Sequence, residues 1–348
     1  MSARSVIDAL DPDKYKITQI GIGHDGEWLI GENILEKMTL GQTSDLSPAA
    51  MVPDPSRQGL FLIKESQSHE LLEHLVALDV VFPVLHGTFG EDGTLQGFLE
   101  MAGIAYVGAG VLGSSVGMDK GVFRDVMLAN GIPVVDTIVV SRRDIDENID
   151  QVAGWAEQFT SYPMFVKPAN TGSSVGVSKC TSRSDLIEGL LDAARFDRRI
   201  LVQRAVNARE IEVSVLGNEV PEVSIPGEIC PAAEFYSYDA KYNDDNSELL
   251  IPAPLPDEMK KRVCSLAIKA YKAIDCAGMA RVDFFVDRDT SEIFLGEVNT
   301  IPGFTKISMY PKLWEASGLP YPRLIDRLVD LALERKVDRD RTEWRYKN

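Results

Sequence analysis

Two short segments near the carboxyl end restrict the fold more than any other part of the chain: "GMARVDFFVD" (residues 278–287) and "GEVNTIPGFT" (residues 296–305). In the first, Arg281 and Asp283 are spaced i and i+2 among apolar residues; in the second, Glu297 and Asn299 flank Val298, and Pro302-Gly303 then ends the extended run. Side chains of a strand alternate between faces, so each polar pair shares one face while the apolar residues occupy the other. Alone, a polar strand end before Pro-Gly is the ordinary exit into a turn. As neighbouring strands, the two segments gather Asp283, Glu297 and Asn299 as hard oxygen donors with Arg281 beside them. That donor set suits Mg²⁺, which binds through a few carboxylates and completes its octahedron with phosphate oxygens and water. A nucleotide is therefore expected, held by other parts of the chain.

The chain has 348 residues, more than one hydrophobic core supports, so two or three domains of roughly 100 to 150 residues are expected. A hydrophobic fraction of 45% with 26% charged residues describes a globular protein, and no apolar run approaches the roughly 20 residues of a membrane helix. The opening "MSARSVIDALDPDKYK" lacks the apolar core of a signal peptide, which makes the cytoplasm the expected location and a membrane partner unexpected. A formal net charge of −17 opposes binding to nucleic acid, so any phosphate must be held by local groups. Cys180, Cys230, Cys264 and Cys276 show no metal-type spacing and read as buried free thiols.

Along the first third, "SARSVIDAL" reads as a helix, "YKITQIGIG" as a strand, "SHELLEHLVAL" as a helix, "DVVFPVLHG" as a buried strand, "TLQGFLEMAG" as a helix closed by Gly103, and "IAYVG" as a strand. The alternation predicts parallel βα units with ligands at the carboxyl ends of the strands, where His86 and the acidic turn "GEDG" stand. Next, "MDKGVFRDVMLANGIPVVDTIVV" predicts a helix stopped at Gly131 and an extended run. "YPMFVKPANTGSSVGVSKC" predicts two strands joined by a Gly/Ser-rich hairpin, with "ILVQRAV" and "EIEVSVLG" extending the same sheet. Residues 226–256 lose periodicity, as a functional or disordered loop does. The helix "DEMKKRVCSLAIKAYKAI", the two polar-ended strands and a last helix near "YPRLIDRLVDLALERK" complete the reading.

Two stretches suggest phosphate. "GAGVLG" (residues 108–113) matches G-x-G-x-x-G, the pattern of a dinucleotide-binding oxidoreductase, but the fingerprint needs a helix at its third glycine and "SSVGMD" is read as intervening. That rival also leaves the polar-ended strands without a purpose. "VKPANTGSSVG" places Lys167 at a strand end, next to a loop whose Gly172 and Gly176 let backbone N–H groups approach an anion and whose Ser173 and Ser174 add hydroxyls. Its plain alternative is a flexible hairpin with a solvated lysine. Lys120, in "GMDKG", stands at a helix start and by itself reads as surface.

Taken in order, "VFPVLHGTFGEDGTLQG", "GMDK", "FVKPANTGSSVGVSK", "FYSYDAKY", "ARVDFF" and "GEVNTIPGFT" resemble the D-alanine-D-alanine ligases of the ATP-grasp superfamily, over nearly the whole chain. The resemblance implies a three-domain α/β ATP-grasp fold: an N-terminal parallel α/β domain (1–108), a central domain (109–205) and a C-terminal magnesium-binding domain (206–348), the last two clasping ATP. By the same resemblance Lys120 and Lys167 hold the α- and β-phosphates, Ser174 closes over them, Lys241 reaches the γ-phosphate, and Glu210 binds the ribose. Gln203 stands where the family usually has a glutamate accepting from the adenine amino group, and its carbonyl can accept the same bond. Asp283, Glu297 and Asn299 match the ligands of two Mg²⁺ (or Mn²⁺) ions, with Glu297 bridging. Tyr242 closes onto Ser173, Arg281 and the Gly303 N–H serve as oxyanion donors, His86 belongs to the substrate site, and Ser308 with Met309 receives the carboxylate of the second D-alanine.

The implied function is ATP-dependent joining of two D-alanines through a D-alanyl phosphate, for peptidoglycan, by a cytoplasmic homodimer. The family normally begins with a strand, a glycine-rich turn and a Ser-x-Glu segment ahead of the helix that here starts at Ser2; their lack points to a start assigned too late. The alternatives are another ATP-grasp carboxylate-amine ligase, including a D-alanine-D-lactate type, or a truncated form that binds ATP with little turnover.

Overall fold

The computed structural model describes residues 1–66, 69–172, 175–230, 248–305 and 307–343. After the helix Ser2–Ala9, the strands Gly21–Ile22, Trp28–Ile30, Ser47–Met51, Leu60–Ser66 and His69–Val76 form one five-stranded sheet in chain order, every neighbouring pair antiparallel. This corrects the expected run of parallel βα units. Among the described residues the one parallel strand pair is Val80–Val81 with Ala105–Tyr106, beside a single parallel bridge between Val134 and Leu295.

"SHELLEHLVAL", expected as a helix, contains the strand His69–Val76, paired residue by residue with Leu60–Ser66. Its helix-forming leucines and glutamates favour the helix by at most a few tenths of a kcal/mol each. A helix here would leave the neighbouring strand without its hydrogen-bonding partner, and the long-range ladder outweighs the local preference. In "YKITQIGIG" only Gly21–Ile22 is paired. The helix Thr94–Ala102 ends as expected on Gly103, whose φ of 68° lies in the left-handed region.

The central sheet runs Ser178–Cys180, Met164–Pro168, Arg199–Arg204, Thr137–Ser141, all antiparallel. Helices Arg142–Phe159 and Arg183–Phe196 each begin with a reciprocal Ser–Asp capping box, at Ser141 with Asp144 and Ser182 with Asp185. They cover one face, burying Val140, Val166, Ile200 and Val202 against Val152, Ala156, Leu186 and Leu190.

The third sheet runs Glu248–Leu250, Gly227–Cys230, Ala208–Leu216, Met279–Asp287, Ile293–Asn299, with Glu222–Val223 beside Ala208–Leu216. "ILVQRAV" and "EIEVSVLG", expected in one sheet, thus belong to two. The helix Asp257–Ala273 lays Val263, Ala267 and Tyr271 on Val213, Val282 and Phe284, and the helix Lys120–Ala129 adds Phe123 and Met127 to the same core.

In "GAGVLG" the third glycine serves packing. A helix, Val111–Met118, starts inside the motif, so the segment expected to intervene is helical. A Cβ on Gly113 would lie 3.1 Å from the Cys276 Cα, close enough that glycine is what lets this helix approach. A last core joins both ends of the chain: Val6 and Val107 pack with Phe304, Tyr310, Trp314, Leu324 and Leu328. There Arg335, on the helix Tyr321–Arg339, donates to the carbonyl oxygens of Gly108 and Tyr106 and lies 4.3 Å over the Tyr106 ring. Among the described residues, no helix is long and apolar enough to cross a membrane.

Candidate active site

The strand Met279–Asp287 is flanked by Ala208–Leu216 and Ile293–Asn299, and the register places residues opposite one another in rows. Ser214, Arg281 and Asn299 form one row; Glu212, Asp283 and Glu297 form the next. Glu210 follows opposite Phe285. A bulge after Asp283 inserts Gly296 into its partner strand, where a Cβ would lie 3.1 Å from the Asp283 carbonyl oxygen. The opposite face, carrying Val213, Val282, Phe284 and Val298, is buried. The alternation that singled out Arg281, Asp283, Glu297 and Asn299 is therefore present, and the four converge.

Arg281 grips Asp283 with both arms, Nε donating to Oδ1 at 2.8 Å and Nη2 to Oδ2 at 2.6 Å, and its Nε lies 3.0 Å from Glu212 Oε2. The Asn299 amide nitrogen donates to Asp283 Oδ2 at 2.9 Å and to Glu297 Oε1 at 3.2 Å. Burial works to depress the Arg281 pKa, but Asp283 and Glu212 outweigh it and hold the guanidinium well above its usual value. A permanent cation therefore stands beside the carboxylates.

Glu212 is the functional-looking residue that the sequence reading missed. It sits at i+2 from Glu210 in "EIEV", alternating with the apolar Ile211 and Val213, the same spacing that exposed Asp283, and it is buried.

The donor set fits a hard divalent cation. Two carboxylates and a carboxamide meet on one face, and Asn299 presents Oδ1 to the same point when its amide is turned over. Among the described residues, no group of three or more His, Cys, Asp or Glu forms a cage of protein ligands alone. Two carboxylates leave the remaining positions of an octahedron to phosphate and water.

Beyond Asn299 the chain turns through Ile301, Pro302 and Gly303 to Ser308, which precedes the helix Met309–Ala316. A Cβ on Gly303 would lie 2.8 Å from Ser308 Oγ, and that hydroxyl accepts from the Thr305 N–H at 3.0 Å. Met309, expected at the substrate carboxylate, buries its side chain against Ile229 and Leu313. What it offers a ligand is a backbone N–H at a helix N-terminus. His86 reaches this turn from the amino-terminal region, its Nδ1 3.0 Å from the Ile301 carbonyl oxygen. Burial lowers its pKa, against the opposing hydrogen bond to Ile301.

The second group lies on the central sheet. Lys167 and Gln203 occupy the face that the two helices leave uncovered; Leu201 is opposite Lys167 and Phe165 opposite Gln203, whose Nε2 donates to Thr137 Oγ1 at 3.0 Å. Lys120 donates to the Thr171 carbonyl oxygen at 2.6 Å, so it does not stand as isolated surface. The loop after Lys167 is anchored at its root: Asn170 donates to Asp119 at 3.0 Å and to Asp197 at 2.9 Å, while Arg199 donates to Asp119 at 2.7 Å. Asp119 also caps the helix that carries Lys120. Ser173, Ser174, Lys241 and Tyr242 lie outside the described residues.

A mixed sheet-and-helix architecture with two sheets, each bearing polar ligands on one face, defines the chain as a multidomain α/β protein of the ATP-grasp type. The family profiles described as D-ala D-ala ligase N-terminus and C-terminus match residues 1–109 and 126–330. The chain belongs to the D-alanine–D-alanine ligase family. The D-alanine–D-alanine ligase of Thermoanaerobacter sp. (strain X514) is 49% identical over 346 residues, 99% of this chain and 94% of that protein. That of Caldicellulosiruptor bescii is 48% identical over 96% of this chain and 91% of its own length. Among solved structures, the D-alanine–D-alanine ligase of Coxiella burnetii matches with a TM-score of 0.80 and 36% identity, covering 97% of this chain and 90% of that one. The VanG D-Ala:D-Ser ligase of Enterococcus faecalis matches at 0.82 and 33%, covering 95% and 94%.

Proposed function

We propose that this chain joins two D-alanines into D-alanyl-D-alanine at the expense of ATP, through a D-alanyl phosphate, as a step of peptidoglycan synthesis. The observation that carries the reading is the convergence of Asp283, Glu297 and Asn299 beside Arg281, in a chain similar to D-alanine–D-alanine ligases over nearly its full length. The domains divide near residues 108 and 205, and ATP lies between the faces bearing Lys167 and Asp283. The setting is the cytoplasm and the assembly a homodimer.

In the first step a D-alanine carboxylate oxygen attacks the γ-phosphorus, the bond to the β-phosphate oxygen breaks, and ADP leaves. Lys120 and Lys167 hold the α- and β-phosphates, Ser174 and Lys241 close on the phosphate chain, Gln203 accepts from adenine, and Glu210 binds the ribose. Asp283, Glu297 and Asn299 hold Mg²⁺ or Mn²⁺, which when bound neutralises phosphate charge during transfer. In the second step the amine of another D-alanine attacks the acyl carbon, and phosphate departs as the amide forms. Arg281 and the Gly303 N–H stabilise the tetrahedral oxyanion between these events. Ser308 and the Met309 N–H receive the second carboxylate, His86 lines the substrate site, and Tyr242 with Ser173 orders the acceptor.

The likeness to a D-Ala:D-Ser ligase gives a second reading, in which the acceptor is another D-amino acid or D-lactate. ADP release with a panel of D-alanine, D-serine and D-lactate, with products identified by mass spectrometry, separates the two. Dipeptide with D-alanine is the expected result. ADP release independent of D-alanine overturns the proposal.

A further inference from the structure

Glu91 lies in the turn "GEDG", and its neighbour Asp92 shows by contrast what it does. Asp92 works locally: Oδ2 accepts from the Phe89 N–H at 2.8 Å and Oδ1 from the Thr94 N–H at 3.0 Å, at the start of the helix Thr94–Ala102. Glu91 reaches across the molecule. Its Oε2 accepts from the Gly87 N–H at 2.7 Å, and its Oε1 accepts from the Ile301 N–H at 3.1 Å, 210 residues away in sequence. His86 meets the carbonyl oxygen of the same Ile301 at 3.0 Å. Both backbone groups of Ile301 are thus held by residues 86–91, and Ile301 lies midway between Asn299 and Gly303.

We propose that Glu91 is a positioning residue of the ligation site: one carboxylate bridging the Gly87 and Ile301 N–H groups sets where the Asn299 amide and the Gly303 N–H stand relative to His86. Each carboxyl oxygen of Glu91 accepts from one N–H, which is what two inward N–H groups require. Aspartate is a methylene shorter and cannot span both, and glutamine turns an NH₂ toward one of the donors. The turn itself is supported from behind, since buried Gln96 donates to the Gly90 carbonyl oxygen at 2.7 Å. Burial, helped by the Glu297 charge, outweighs the two N–H bonds that pull the other way and leaves the Glu91 pKa raised to about 7. The inference rests on the proposed ligase reaction, because it assigns Gly303 and Asn299 to that chemistry.

The test compares Glu91→Gln and Glu91→Asp with the unaltered chain. In the proposed reaction adenine, ribose and the α- and β-phosphates are held by Gln203, Glu210, Lys120 and Lys167, none of them in segments 86–91 or 299–303, so KM for ATP is expected within about twofold, while kcat falls on the order of 100-fold, the scale of a misplacement of roughly 1 Å. An unchanged kcat, a KM for ATP that rises in step with the loss, or a loss that follows the thermal midpoint overturns the proposal. If neither variant folds, amide hydrogen exchange of the unaltered chain decides: slow exchange at Gly87 and Ile301 supports the bridge, and fast exchange at either overturns it. Absence of D-alanine-dependent ADP release by the unaltered chain counts against the ligase reading, whereas the exchange measurement still reports on the bridge.

Discussion

The strands Met279–Asp287 and His69–Val76 are nearly equal in length and opposite in circumstance. The first lies inside a six-stranded sheet and buries every second residue in a shared core; the second lies at the edge of a meander with seven of its eight residues exposed. An interior strand is paired along both edges and backed by a core, so a side chain on its polar face is held in register with its neighbours. An edge strand is held by one ladder and little else. Chemistry that needs oxygens and a guanidinium at hydrogen-bonding distance can be mounted on the first and not on the second.

The largest loss is expected at Glu297. Glu297→Gln removes a carboxylate from the row opposite Asp283 and is expected to lower kcat by about three orders of magnitude or more, while the thermal midpoint moves by a few degrees. Asp283→Asn, with the Glu212 carboxylate still beside Arg281, is expected to lose less. Near-normal turnover of the Glu297 variant at saturating magnesium would remove the metal assignment. On the reverse face of the same sheet, Phe284→Ala is expected to cost about 3–5 kcal/mol in chemical denaturation, because a fully buried ring leaves a cavity in the core that carries the site. A cost below 1 kcal/mol would mean that this core collapses as readily as the meander.

A third measurement probes the junction between the two regions, where pH acts in opposite senses on two neighbours. Glu91, raised to about 7 from 4.5, stabilises the fold below pH 4.5 and loses that contribution as pH rises through 7. His86, lowered from 6.5, contributes stability above pH 6.5 and loses it as pH falls through its folded value. Between pH 4.5 and 7, Glu91→Gln should tilt the stability profile toward a rise with pH relative to the unaltered chain, and His86→Gln should tilt it toward a fall. Thermal midpoints across that range decide it; parallel curves would deny the assignment. The smallest effect belongs to the edge: Leu72→Ser, at a side chain 55% exposed, is expected to change stability by no more than about 0.5 kcal/mol and kcat not at all.

This contrast also explains what the sequence revealed. In "ARVDFF" and "GEVN" the spacing of two is enforced by burial on one face, so Arg281, Asp283, Glu297 and Asn299 were legible as a group. The same rule applied to "EIEV" reaches Glu212, whose role depends on Arg281 and Asp283 of the neighbouring strand. "SHELLEHLVAL" gave a false helix because its side chains are exposed: with no core to face, its apolar residues carry no information about period, and the pairing that shapes it comes from Leu60–Ser66. Glu91 was noticed only as part of an acidic turn. Its role depends on Ile301, and no local pattern encodes a contact across 210 residues. The third glycine of "GAGVLG" shows a similar limit, since the need for Gly113 comes from Cys276.

The clamp of Arg335 on Gly108 and Tyr106 has a consequence for the order of events during synthesis. The ribosome adds roughly 5–20 residues per second, so Arg335 emerges about 10 to 45 seconds after the carbonyl groups it will bind. Through that interval Val6 and Val107 await Leu324 and Leu328, their partners in a shared core. The nascent amino-terminal region is therefore an unfinished surface through that interval, and its completion is timed by the emergence of the helix Tyr321–Arg339.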